Sequence, residues 1–149
     1  MRNNHYLIYN KMKKKSEIKK THPYQNFWGV HKIGSGTKIA AFVEIGDNVV
    51  IGKNCLIQAF VFICPLVTIE DNVFIGPHVC FTNDKKPPSS DNNWEKTLVK
   101  KGAVIGANST IIPGITIGKN AIIGAGSVVT KNIGDGEKWY GQAAKKHSV

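Results

Sequence analysis

The sequence predicts an all-β fold, a parallel β-helix assembled from six-residue repeats, and three observations carry that expectation. From Ile33 to Val129 an aliphatic or aromatic residue stands at every sixth position, interrupted only by the window Thr82 to Leu98. The register is the same on both sides of the window, at Phe81 and at Val99. Four positions after each large residue comes a small or branched one, as at Thr37, Val43, Val49, Cys55, Val61, Val67, Val73 and Val79, then Ala103, Ser109, Ile115, Ala121 and Ser127. A short fixed period of this kind stacks identical slots coil upon coil, so the stacked column is itself the core.

The repeats read in order as IGSGTK from Ile33, IAAFVE, IGDNVV, IGKNCL, IQAFVF, ICPLVT, IEDNVF and IGPHVC, then Phe81. Beyond the window they resume as VKKGAV from Val99, IGANST, IIPGIT, IGKNAI, IGAGSV and VTKNIG. Glycine recurs at the second slot and Asn or Gly at the fourth, residue types that suit corners with left-handed backbone angles. Three short strands per coil give a triangular prism of eighteen residues per turn.

The prism is expected over 33–134. Residues 1–20 form a basic leader expected to be flexible. Residues 21–149 form a single domain, in which 21–32, rich in aromatics, caps the first coil. The window 82–98 (TNDKKPPSSDNNWEKTL) has lost the period and carries Pro87 and Pro88, so it reads as a loop ejected from one coil. Long loops on rigid repeat scaffolds commonly carry function. The tail 135–149 leaves the repeat, with Trp139 and Tyr140 as packing anchors.

Composition narrows the classes. The chain has 149 residues, 42% hydrophobic and 20% charged, with no apolar run near the roughly 18 residues that span a bilayer. The start lacks an apolar stretch and a small-residue cleavage site, so it does not read as a secretory signal, and a cytoplasmic location is expected. The net charge is +10, but the first twenty residues carry seven basic groups against Glu17, leaving about +4 for the rest. No aromatics are interleaved with those lysines, which favours a solvated segment over a nucleic-acid arm or a membrane-surface anchor. Cys55, Cys64 and Cys80 lie inside the repeats without metal-ligand spacing and read as reduced thiols packed as small hydrophobes. No metal is expected.

The stretches IGSGTKIAAFVEIG, VTIEDNVFIGPHVCFTND, LVKKGAVIGANSTIIPGITIGKNAIIGAGSVVTK and YGQAAKK resemble the hexapeptide-repeat acyltransferases. Within these, FTND followed by a Pro-containing loop is similar to the sugar-nucleotide 3-amino N-acetyltransferase branch. The resemblance implies a left-handed prism, a homotrimer, acetyl-CoA in the groove between neighbouring prisms, and a nucleotide-linked amino-deoxyhexose (dTDP rather than UDP) entering under the loop. It also departs from the branch at several places. Pro88 stands where relatives have Arg, Gln142-Ala143-Ala144 replaces an Asn-Pro-Ala ending, and Ala40, Ala41 and Glu44 replace bulkier groups of the first coil.

An amine acceptor needs orientation, a neutral nitrogen and a stabilised oxyanion more than it needs a strong base. By resemblance Asn83 hydrogen-bonds the acceptor amine, and Asp84 orients that amine or accepts its proton. The competing reading of the pair is an Asx turn that opens the loop. His78 occupies a fourth slot where other hexads place Asn or Gly, and the branch usually has Asn there. It reads as an exposed corner residue, with a catalytic base as the alternative. Gly102 and Ala103 are candidate oxyanion N–H donors on the strand after the loop. Ala107 and Ala125, one coil apart, stack and offer backbone groups to an extended pantetheine arm. By resemblance both contact that arm, Thr130 and Lys131 meet the adenosine end, and Lys145 or Lys146 meets its phosphates.

Two other functions compete. One is O-acetylation of a sugar or xenobiotic through a histidine base; the other is a non-catalytic binding or assembly module. A zinc hydratase on the same prism is disfavoured, because it requires three histidines from neighbouring coils and the repeat holds one.

Overall fold

A computed structural model describes residues 24–142 and 144–146. The basic leader, His22, Ala143 and His147 fall outside the described residues. The fold is all-β, a three-faced parallel β-solenoid of about six turns, consistent with the left-handed β-helix.

The first face stacks Asn26–Phe27, Glu44–Ile45, Phe62–Ile63, Cys80–Phe81, Thr110–Ile111 and Val128–Val129. The second stacks His31–Ile33, Val49–Ile51, Val67–Ile69, Thr97–Val99 and Thr116–Ile117. The third stacks Lys38–Ile39, Leu56–Ile57, Phe74–Ile75, Val104–Ile105, Ile122–Ile123 and Lys138–Tyr140, and ends on the antiparallel strand Lys145–Lys146. Partners such as Glu44 and Phe62, or Leu56 and Phe74, are eighteen residues apart, as the hexad spacing requires.

Strands two or three residues long have little stability of their own, so the prism is held by its column. Ile45, Ile57, Ile63, Ile75, Ile105, Ile111 and Ile117 are fully buried, and the second column (Val43, Cys55, Val61, Val73, Ala103, Ala121) is closed beside them. Each buried isoleucine contributes roughly 1.5–3 kcal/mol relative to exposure. Polar members of that column are satisfied from within. Ser109 Oγ donates to the carbonyls of Gly106 (2.8 Å) and Gly124 (3.1 Å), and Ser127 Oγ to Gly124 (2.7 Å). Cys55 and Cys64 are buried free thiols, and burial, with Cys80 close by, pushes Cys64 up to about 12.

Two boundaries differ from the sequence expectation. The ladder of strands begins at Asn26, so Asn26–Phe27 and His31–Ile33 are first-coil strands rather than a cap; Phe27 lies one hexad before Ile33 and continues the buried row. At the other end Ile133 bridges Ile117, and Trp139 pairs with Ile123, sixteen residues on rather than eighteen. The last turn is two residues short, which brings Trp139 against the core.

The window 82–98 is an excursion at the corner between the first and second faces. The chain leaves after Phe81 and re-enters at Thr97, which pairs with Val67 thirty residues earlier, so twelve residues have been added to one coil. Between Phe81 and Thr97 the chain forms a single 3-10 turn, Asp91–Asn93.

Candidate active site

The base of the excursion is clamped. The Glu95 N–H donates to the Asn83 carbonyl at 2.9 Å, and Lys85 Nζ lies 2.8 Å from Glu95 Oε2. Asn83 follows Thr82, whose N–H and hydroxyl both bond the Ile111 carbonyl at 3.0 Å, so its backbone is anchored just past the strand Cys80–Phe81. Its Nδ2 is buried with no acceptor. A buried amide donor left open costs free energy unless a ligand completes it.

Asp84 is in a different condition. One carboxylate oxygen accepts the Lys86 N–H (2.9 Å) and the other the Ser89 N–H (2.7 Å). Desolvation pushes its pKa up, but the bonds from Ser89 and Lys86 outweigh that and hold it below the ordinary carboxylate value. A carboxylate so engaged is a weak proton acceptor and a strong organiser of the loop. Asp84, Lys85, Lys86, Ser89, Asn93 and Glu95 line a concavity of about 390 Å³ under the excursion.

Gly102 and Ala103 lie at the corner between the second and third faces, and their N–H groups are already committed. Gly102 donates to Asp71 (3.0 Å) and Ala103 to Lys100 (3.2 Å), so neither is open to an oxyanion.

Ala107 and Ala125 stack at the corner between the third and first faces, where the Gly126 N–H donates to the Ala107 carbonyl at 2.7 Å. The N–H groups of both alanines make no hydrogen bond among the described residues. Glycine makes this shelf possible, because a Cβ at Gly76 would sit 2.6 Å from the Ala107 nitrogen and one at Gly106 would collide with Ala125. Thr130 and Lys131 are exposed across the first face from it, at the corner after the strand Val128–Val129. Lys146 is tied to Glu137 at 2.7 Å, and Lys145 lies on the same strand. The bond from Lys146, with those from the Gly134 N–H and the Trp139 indole, brings Glu137 down to about 2.

His78 lies at this same corner, exposed, its ring stacked on Phe60 with centroids 4.8 Å apart. The structure therefore assembles Ala107, Ala125 and His78 along one corner, and places Thr130 and Lys131 with Asn83 and Asp84 at another, on the far side of the first face. The rings packed below His78 are absent from the sequence-derived candidates, although their eighteen-residue spacing is the signal that locates them. Among the described residues no three His, Cys, Asp or Glu side chains gather, and no helix is long and apolar enough to cross a membrane.

Comparison with known proteins accords with the repeat. The dTDP-3-amino-3,6-dideoxy-alpha-D-galactopyranose 3-N-acetyltransferase of Aneurinibacillus thermoaerophilus is 45% identical over 53 residues, 36% of this chain and 28% of that protein. The chain spans little more than a quarter of the length of such curated relatives. Among solved structures, GDP-perosamine N-acetyl transferase from Caulobacter crescentus, in complex with CoA and GDP-perosamine, superposes with a TM-score of 0.76 at 24% identity. That match covers 86% of this chain and 55% of the other. A galactoside acetyltransferase in complex with coenzyme A gives 0.70 at 28% identity, covering 78% and 64%. The six-repeat signature described as bacterial transferase hexapeptide matches residues 31–65, 48–83 and 96–131, more than half of the chain. With that signature and the solenoid it predicts both present, the chain belongs to the bacterial transferase hexapeptide family of acyltransferases.

Proposed function

We propose that this protein is an N-acetyltransferase that moves acetyl from acetyl-CoA to the 3-amino group of a nucleotide-linked amino-deoxyhexose, dTDP-linked rather than UDP-linked. The observation that carries the reading is Asn83, a side chain on anchored backbone at the mouth of the excursion with a buried amide left open. Such an amide can hold the acceptor nitrogen in line with the thioester while neighbouring groups exclude water. The amine needs no strong base once neutral, which accords with an Asp84 committed to the loop. Asp84 then acts by shaping the excursion around the acceptor.

The donor arm lies along Ala107 and Ala125, whose open N–H groups suit its amide carbonyls. Thr130 and Lys131 meet its adenosine end, and Lys145 and Lys146 its phosphates, Lys146 by exchanging Glu137 for phosphate. Likeness to an acetyltransferase crystallised with coenzyme A supports a CoA donor for this chain. The alanine shelf and the excursion stand at different corners, so the donor on one protomer meets the acceptor held by another, as a homotrimer provides. An apolar row on the third face, Leu56, Phe74, Val104 and Ile122 flanked by Lys38 and Lys138, supports self-association. The reaction belongs in the cytoplasm, where acetyl-CoA is available.

A panel of dTDP- and UDP-linked amino sugars incubated with acetyl-CoA, with release of free thiol followed, tests the reading. Turnover is expected with a 3-amino-deoxyhexose, and silence across the panel together with no CoA-dependent thermal shift defeats it. A second reading, O-acetylation with His78 as base, draws on the 28% identity to a galactoside acetyltransferase; thiol release with sugar alcohols but not amines would favour it.

A further inference from the structure

One corner of the prism is built of rings. Tyr24, Phe42, Phe60 and His78 follow each other at eighteen-residue intervals between the third and first faces. Their centroids lie 5.0, 4.9 and 4.8 Å apart and their planes 10°, 6° and 7° from parallel. Phe42, Phe60 and His78 have φ of 59°, 62° and 60°, the left-handed region that bulky side chains rarely adopt. Apart from Leu66, every other left-handed residue among those described is Asn or Gly. Strain of this sort persists where the surroundings fix it, and it concentrates at functional sites.

The column stops at a meaningful place. After His78 the same corner passes to Asn108 and Gly126, beside Ala107 and Ala125, so the rings end where the alanine shelf begins. Stacking on Phe60 fixes the plane of the imidazole, and neither ring nitrogen has a hydrogen-bond partner among the described residues. A rigid, exposed imidazole with open nitrogens thus stands in line with the shelf, at the end nearer the coil from which the excursion departs.

We propose that His78 is a catalytic residue whose imidazole N–H donates to the thioester carbonyl oxygen of acetyl-CoA, and that Phe60 and Phe42 are positioning residues that mount it. The inference rests on the reading of the donor groove given above. The acceptor nitrogen forms a C–N bond to the acetyl carbon, and the carbonyl oxygen takes up the negative charge. Collapse breaks the C–S bond, coenzyme A leaves as its thiolate, and the proton shed by the nitrogen reaches that thiolate through solvent. His78 keeps its proton throughout. Its hydrogen bond strengthens as charge gathers on the oxygen, which is how a fixed donor lowers a barrier.

His78→Phe separates the ring from its nitrogens, since the stack survives and the donor does not. With the substrate found in the panel, the expected result is an unchanged melting temperature and a KM for acetyl-CoA within about twofold. The kcat should fall by about tenfold or more, the split that marks an interaction made in the transition state. Phe60→Ala should lower kcat as well, Phe60→Tyr should restore it, and Phe60→Ala should have little further effect on kcat in the His78→Phe background. A His78→Phe enzyme with kcat within twofold of wild type, or with its whole loss in KM, overturns the inference while the acetyltransferase reading stands. A wild-type enzyme that turns over no amino-sugar nucleotide overturns both.

Discussion

Glu95 closes the excursion onto Asn83, its N–H donating to the Asn83 carbonyl across eleven intervening residues. This bond uses the backbone of Asn83 and leaves the side chain unspent. The Asn83 amide therefore contributes nothing by hydrogen bonding to the stability of the unliganded protein, and its buried Nδ2 is a cost.

Asn83→Ala should accordingly leave the melting temperature unchanged or slightly raised while turnover of the amino-sugar nucleotide falls by about tenfold or more. Activity within twofold of wild type in a thiol-release assay would show that the amide does not orient the acceptor.

Ala125 is exposed on the donor shelf, so a larger side chain there can extend into solvent. Ala125→Glu places bulk and negative charge where the pantetheine arm lies. The folded protein should melt as wild type does without ligand and lose the stabilisation that coenzyme A confers, read as the shift in melting temperature at a fixed excess of CoA. An undiminished shift would put the donor elsewhere.

Thr97 is buried to 2% exposure with its hydroxyl unpaired, in an inward row whose neighbour Val67 is apolar. Thr97→Val keeps the shape and removes the unsatisfied group, and should raise stability by about 1 kcal/mol. A denaturant midpoint that moves down instead would mean that the hydroxyl has a partner in solution.

Two groups should give the protein separate acid transitions. Desolvation lowers the pKa of His31, the Gly29 backbone and Asp47 oppose that only in part, and neither ring nitrogen reaches hydrogen-bond geometry. The unfolded chain therefore takes up the proton first, and stability should begin to fall as pH drops below about 6.5. His31→Leu should remove that first decline from the melting-temperature profile.

Glu137 titrates in the opposite chemical sense but with the same outcome. Its folded value of about 2 lies below the ordinary 4.5, so its contribution is fully present above 4.5 and is lost as pH falls from there towards 2. Glu137→Gln should flatten the profile in that lower window alone. The bonds it drops to Lys146, Gly134 and Trp139 hold the last two strands of the third face together.

The fold was legible because a hexad is a one-dimensional rule. Once Ile45 and Ile63 occupy the same slot of successive coils, their burial and their strand register follow from spacing alone. The ends were less legible. Phe27 still carries the period, but Ile133 and Trp139 sit two residues early, and only packing against Ile117 and Ile123 reveals the shortened turn. The site was legible as position rather than condition. The break in the repeat marks Asn83 and Asp84, and the eighteen-residue offset marks Ala107 and Ala125, yet nothing in the order of residues says which polar groups are already satisfied.

By itself the sequence determined the prism, its inward columns, the corner at which the excursion leaves and the family to which the chain belongs, because each depends on intervals along the chain. Only the tertiary structure decided that Asp84 spends both oxygens on its own loop, that Lys146 is paired with Glu137, that Gly102 and Ala103 have no N–H to offer, and that three rings stack beneath His78. Those outcomes depend on hydrogen-bond geometry and ring planes in three dimensions. A chain that leaves its repeat, or turns a corner in a strained conformation, sets both by its path through space rather than by its spacing.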